Sequence, residues 1–337
     1  IDFNPVVRAP IGNLPFLSIT TVVGYRFTRW SDRLTSANAA TQIATPISRQ
    51  MLDMRAELQG PTFTRIFDTP DSGYAKRWKH VIQPNFSISK TTMFDEFALV
   101  PKNDGVDQLF GGVTSMAYGL TNRLLAKRPS ETGGPAAAQE IASVQVQQTY
   151  YTNAAASIYD TNYQSSIGGG VSKFSPVAIT ATVQPALGAN VTARTEYDMT
   201  YRAIRSTSVG AGINRPLLTL NATWAKQDSL SKDPKDATLT LKTGLYHSLI
   251  TSVAAHTPDR RFNGSWSWSY DLQRKQELQQ RYTASYMAQC CGVAMEYQVY
   301  NFGGIAVSGL AQDKRFNISF SLSGIGTFAN LLGAFER

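Results

Sequence analysis

The only two cysteines of this 337-residue chain are neighbours, Cys290 and Cys291. A bond between adjacent cysteines closes a tight ring that strains the peptide between them. If the pair is oxidised, each sulfur needs a partner elsewhere, and the chain holds no third cysteine. The pair therefore reads as two free thiols, or as thiols whose partners lie on sequence outside this chain. The three histidines, His80, His247 and His256, lack zinc-ligand spacing, and the cysteines stand too close for a CxxC site. No nucleophile-elbow, Walker or dinucleotide-binding glycine pattern occurs. Gly168-Gly-Gly170 follows a polar stretch and precedes a strand, so it reads as a loop rather than a phosphate cradle. No catalytic residue, metal site or cofactor is expected.

The elements that must carry these residues are strands. In Phe262–Asp271, Phe262, Gly264, Trp266, Trp268 and Tyr270 share one face, and Asn263, Ser265, Ser267, Ser269 and Asp271 the other. Successive strand side chains point to opposite faces, so this period of two excludes a helix. The alternation recurs at 190–201, where Val191 and Tyr197 oppose Arg194 and Glu196. It recurs at 217–226, 237–249 and 315–323. These segments approach the 9–11 residues of a tilted membrane-crossing strand and exceed the about 5–6 typical of soluble sheets. Charge confined to one face has a physical reason: Arg or Lys facing lipid at mid-membrane costs about 2–4 kcal/mol. About fourteen strand candidates follow, near 16–30, 52–67, 78–90, 117–126, 143–152, 171–183, 190–201, 203–213, 217–226, 237–249, 262–271, 278–289, 293–302 and 315–323. Polar or Gly/Pro-rich links join them, notably 91–116, 127–142, 153–170 and 227–236.

Composition agrees. Charged residues make up 17% of the chain, with fifteen Tyr and sixteen Phe, below the roughly 25% charge of soluble domains. No apolar run is long enough for a transmembrane helix. The start at Ile1, without a basic and apolar leader, is expected of a mature or trimmed chain. The net charge of +8 is spread along the chain, which argues against a nucleic-acid partner. The expected fold class is all-β: a transmembrane antiparallel β-barrel, with about fourteen strands in this chain forming all or part of it.

Several segments go beyond a generic barrel pattern. They are Leu58-Gln-Gly-Pro-Thr62, Arg77-Trp-Lys-His-Val-Ile-Gln-Pro84, Phe94-Asp-Glu-Phe97, Tyr118-Gly-Leu-Thr-Asn-Arg-Leu-Leu125, Gln148-Thr-Tyr-Tyr151, Phe174-Ser-Pro176 and Gln289-Cys-Cys-Gly292. In this order they resemble the C-terminal barrel region of the lipopolysaccharide-assembly outer-membrane protein family, LptD (the organic-solvent-tolerance protein). The resemblance implies that these strands are part of a larger barrel, with a barrel region over 1–323, a periplasmic tail over 324–337, and an N-terminal jelly roll absent from this chain. It implies the outer membrane of a Gram-negative bacterium and no enzymatic activity.

The implied function is insertion of lipopolysaccharide into the outer leaflet through a lateral seam. The implied partners are lipopolysaccharide, a plug lipoprotein, a periplasmic transport bridge and the barrel-assembly machinery. The seam strand would carry Phe316, Ile318, Phe320 and Leu322, with Gly303, Gly304 and Gly309 before it. Arg194, Arg202 and Lys242 would meet lipopolysaccharide phosphates. Cys290 and Cys291, at a periplasmic turn, would bond to cysteines of the N-terminal region in an oxidising compartment. The alternative reading is a general diffusion porin or solute channel. A barrel hydrolase ranks below both.

Overall fold

The computed structural model describes residues 1–37, 39, 41–128, 137–166, 170–236, 238–301, 312–322 and 326–329. Its contacts fall into two units. The first comprises 1–181, 195–205 and 229–241; the second comprises 182–194, 206–228 and 242–337.

The first unit holds β1 (Asp2–Phe3), β2 (Val6–Leu14), β3 (Leu17–Trp30), β4 (Arg33–Leu34), β5 (Gln42–Ile43), β6 (Ile47–Gln59), β7 (Phe63–Asp68), β8 (Arg77–Thr91), β9 (Val113–Arg128) and β10 (Ala137–Tyr151). Its ladders are antiparallel: β2 on β3, β3 on β6, β6 and then β7 on β8, β8 on β9, and β9 on β10. β4 and β5 form a separate ribbon. The 52–67 segment is two strands, interrupted at Gly60-Pro61. Gly60 has φ +114, and a Cβ there would lie 2.4 Å from the carbonyl oxygen of Phe16, so only glycine fits. Pro84 faces this interruption. Its carbonyl accepts from Gly60 N at 3.0 Å, so its missing N–H falls where the β8 ladder passes from β7 to β6.

Five strands divide their residues between the units: β11 (Val177–Ala186), β12 (Ala189–Asp198), β13 (Ala203–Arg215), β14 (Leu218–Lys232) and β15 (Thr240–His256). The second unit continues with β16 (Phe262–Asp271), β17 (Gln276–Met287), β18 (Cys291–Asn301), β19 (Gln312–Leu322) and β20 (Gly326–Ala329). From β15 to β20 each strand pairs antiparallel with the next.

Register sorts the side chains of both units. In the first, Val23, Tyr25, Met54, Phe86, Tyr118, Leu120 and Val146 share one face, and all are exposed. In the second, Phe262, Tyr282, Tyr286, Met295, Tyr297, Phe316 and Phe320 do the same. Among the described residues, polar and charged side chains are buried as often as apolar ones, while many large apolar side chains are exposed. The largest fully buried side chains are Arg49, Glu196, Val100 and Ser165, whereas the apolar core cluster is Ala75, Ala126 and Ile141 with Trp78 packed on it. Exposed apolar faces of this extent need a non-aqueous surround, and a face that alternates with a polar one is the pattern of membrane-spanning strands. Among the described residues no helix is long and apolar enough to cross a membrane. The fold class is the transmembrane antiparallel β-barrel.

Every one of the fourteen expected segments contains a strand. Two differences stand out. β2 is an additional strand that the Pro10 and Gly12 within it conceal. The strand expected to be last, β19, is followed by β20, which pairs with it through Phe320↔Phe328.

Candidate functional site

The polar face of the first unit is assembled by register. Ser18 and Thr20 of β3 pair with Gln59 and Glu57 of β6, which pair with Asn85 and Ser87 of β8. Those pair with Gly119 and Ala117 of β9, and these in turn with Gln147 and Thr149 of β10. Four of these five strands thus present hydroxyl, amide or carboxylate side chains at one level, and β9 leaves the level open with Gly119 and Ala117.

Two of the segments read from the sequence as links, 91–116 and 153–170, are bonded to the strands by buried polar groups over the described residues 92–112 and 152–166. In the first, Asp107 accepts from Trp30 Nε1 at 2.8 Å and from the backbone amides of Asn103 and Asp104 at 2.8 and 3.1 Å. Arg49, fully buried, donates to the carbonyl of Val106 at 2.9 Å and to Leu109 and Thr28 Oγ1 at 3.4 Å, with its guanidinium 5.0 Å from the Trp30 ring. The 3-10 turn Phe97–Leu99 places Phe97 edge-on to Phe110 and Tyr159, at 5.3 and 5.2 Å. Tyr159 belongs to the second segment, so aromatic packing joins the two.

The second segment opens with Asn153 capping the 3-10 helix Ala154–Tyr159 by accepting from Ala155 N. Asp160 accepts from the hydroxyl of Tyr151. Tyr163 and Thr149 share a hydroxyl–hydroxyl bond of 2.9 Å. Glu196, also fully buried, accepts from Gln164 N and Ser165 N, both at 2.8 Å, and from Ser165 Oγ. A buried carboxylate is tolerated when several donors converge on it. Asp198 is paired with Arg205 at 2.8 Å, both nearly buried.

Between this segment and the polar face lies a cavity of about 340 Å³, within the range of about 300–1,000 Å³ of small-molecule sites. Strands supply one wall, and Asn162 and Tyr163 supply the opposite one. Its charged members, Arg55 and Glu57, are bridged at 3.0 Å. Gly119 makes room: a Cβ there would lie 2.6 Å from Asn85 Oδ1 and from the carbonyl oxygen of Val146.

The residues singled out in the sequence sit elsewhere. Cys290 and Cys291 are exposed free thiols at the β17–β18 turn, with their sulfurs 3.0 Å apart. Phe316, Ile318, Phe320 and Leu322 share one face of β19. Gly303, Gly304 and Gly309 lie outside the described residues. Arg194 is in β12 and Lys242 in β15, both in the second unit; Arg202 is an exposed turn residue at φ +51 in the first. His247 accepts from Trp224 Nε1 at 3.0 Å, His256 Nδ1 lies 2.9 Å from the carbonyl of Thr257, and His80 pairs with Arg65 and Leu124 within the sheet. Leu58, Gln59, Tyr118 and Thr149 of the lining fall within the short motifs quoted above, but those motifs did not mark a cavity. The one signal of the lining is membership of the polar face of adjacent strands, and using it requires the register.

No protein-family model and no curated protein matches the chain. Among solved structures it is similar to the siderophore receptor PirA from Acinetobacter baumannii, at 10% identity and a TM-score of 0.43, covering 98% of this chain and 58% of that one. It is similar to the FrpB iron transporter from Neisseria meningitidis, at 10% identity and 0.43, over 97% and 57%. A porin from Rhodopseudomonas blastica aligns at 11% identity and 0.32, over 93% and 92%. The chain thus spans less than two thirds of the siderophore receptor and of the iron transporter. These similar structures are a siderophore receptor, an iron transporter and a porin, and with no family match the resemblance to the lipopolysaccharide-assembly family is overturned. The implied seam, phosphate contacts and disulfide partners lose their basis with it. The motifs behind that resemblance have local structural duties here: Gly60 in the β6–β7 break, Phe97 in the aromatic cluster, Gly119 beside Asn85, and Ser175 bonding Thr149 N at 2.8 Å. Long antiparallel strands, exposed apolar faces and buried polar anchors make this chain a β-barrel protein of the outer membrane.

Proposed function

We propose that the protein is a solute channel of the outer membrane. One observation carries this reading: the polar face of the first unit borders a cavity whose wall includes uncommitted hydrogen-bonding groups. Ser18, Thr20, Gln59, Asn85 and Ser87 make no side-chain hydrogen bond to protein among the described residues; Ser18 and Gln59 are exposed and the other three partly so, leaving all five open to water. Such groups suit a wetted surface along which solutes exchange hydrogen bonds with water at little cost. Asn162 and Tyr163 border that surface, and Tyr163 is fixed there by its bond to Thr149.

Liposome swelling tests the reading. Vesicles containing the purified protein are expected to swell in isotonic solutions of small polar solutes, and more slowly as solute size increases. Swelling no faster than that of protein-free vesicles would refute it.

A further inference from the structure

We infer that the cavity between the polar face and Asn162 and Tyr163 binds neutral polyhydroxylated solutes, small saccharides being the class it fits. The inference rests on the channel reading only for the delivery of solute to the site. Three features of the lining select this class.

The first is charge. Arg55 and Glu57 neutralise each other at 3.0 Å, so an anion or cation entering the cavity meets a pair already satisfied. The pair is half-exposed, so parting it costs at most about 1 kcal/mol; the larger cost to a charged solute is the loss of its own hydration. A neutral solute faces neither cost.

The second is the kind of hydrogen bond on offer. Ser18, Thr20 and Ser87 present hydroxyls, each a donor and an acceptor, and Gln59 and Asn85 present amides that also do both. Sugar hydroxyls likewise donate and accept, so they match this lining without a charged group. A site built to hydrogen-bond hydroxyls discriminates strongly against analogues that lack them.

The third is pre-organisation. The far wall is held before any solute arrives: Tyr163 is buried and bonded to Thr149 at 2.9 Å, and the next two residues are bonded to buried Glu196. Gly119 leaves the space that Asn85 Oδ1 occupies. Walls fixed in advance reduce the ordering cost of binding.

The test is a calorimetric titration of the purified, detergent-solubilised protein with maltotriose and, in parallel, with glycine as a zwitterion of opposite character. Saturable maltotriose binding is expected, with affinity lowered about tenfold, or about 1.4 kcal/mol, by Asn85→Ala. Thr20→Val keeps the side-chain shape while deleting one hydroxyl, and is expected to weaken binding in the same direction. It keeps the test decisive if the asparagine variant does not fold. Absent maltotriose binding, a preference for glycine, or affinities unchanged in both folded variants would overturn the inference. Bilayer conductance of the same preparation separates the two ideas. Conductance without saccharide binding overturns this inference alone, whereas saccharide binding without conductance overturns the channel reading and leaves the cavity assigned.

Discussion

Replacing Arg49 with alanine should release the 92–112 segment while leaving the strands paired. Arg49 is fully buried and reaches that segment through the carbonyl of Val106 at 2.9 Å and, less closely, Leu109 at 3.4 Å. A hydrogen bond from a charged donor contributes about 1.5–3 kcal/mol. A desolvated guanidinium over an indole, here 5.0 Å from the Trp30 ring, adds about 0.5–2 kcal/mol. Weighting the long contacts lightly, the loss comes to about 3–4 kcal/mol, in line with the 3–5 kcal/mol typical of breaking a buried charge network. This loss bears on local opening because β6 keeps its ladders to β3 and β8. Hydrogen exchange is the assay. The amides of Asn103 and Asp104, which donate to Asp107, should exchange roughly a hundredfold to a thousandfold faster in the variant, by the same free energy. Exchange across β3 and β6 should change little. Protection of those two amides within about threefold of the parent would refute the assignment of Arg49 as the anchor.

Other expectations concern the same architecture. Lys102 is exposed, but partial desolvation, and secondarily the positive charge of Arg49, pushes its ammonium down to about 8 against the opposing pull of Asp107, a shift whose effect on stability solvent screening keeps small. The unfolded chain holds that proton up to its ordinary value near 10.4, so stability should rise with pH between these limits. Thermal melts across that window should show the rise, and Lys102→Met should flatten it. Glu196→Gln removes one acceptor from the Gln164–Ser165 turn and should cost about 1–3 kcal/mol, read as faster proteolysis within 152–166. Leu120→Arg, on the exposed apolar face, should cost about 2–4 kcal/mol in a folding titration into lipid, whereas Thr121→Arg on the opposite face should cost far less.

Strands were legible because their cause is local. Alternation in Phe262–Asp271 is written in ten consecutive residues, and register merely stacks it against the matching faces of β15 and β17. β2 escaped because Pro10 and Gly12 break the propensity while the backbone still pairs with β3. The site was not legible for a different reason. Arg49, Asp107 and Glu196 look in sequence like any solvated charge, and only tertiary contacts reveal them as buried anchors. The segments they hold therefore read as links. The cavity needs five strands in register, which no single stretch encodes. Short motifs such as Tyr118-Gly-Leu120 pointed to a family when their content was local: a glycine that lets Asn85 approach the β9 backbone.

The central claim is that the polar face of the first unit borders the solute path and the opposite face borders lipid. Ser87 lines the cavity, and Ile88 is its neighbour on the other face. The direct test is the single-channel current of Ser87→Cys, in a background with Cys290 and Cys291 replaced by serine, before and after a charged, membrane-impermeant thiol reagent. A lasting stepwise fall in current, absent for Ile88→Cys, is the predicted result. An open channel whose current is untouched by modification at Ser87, or lowered equally by modification at Ile88, would contradict it.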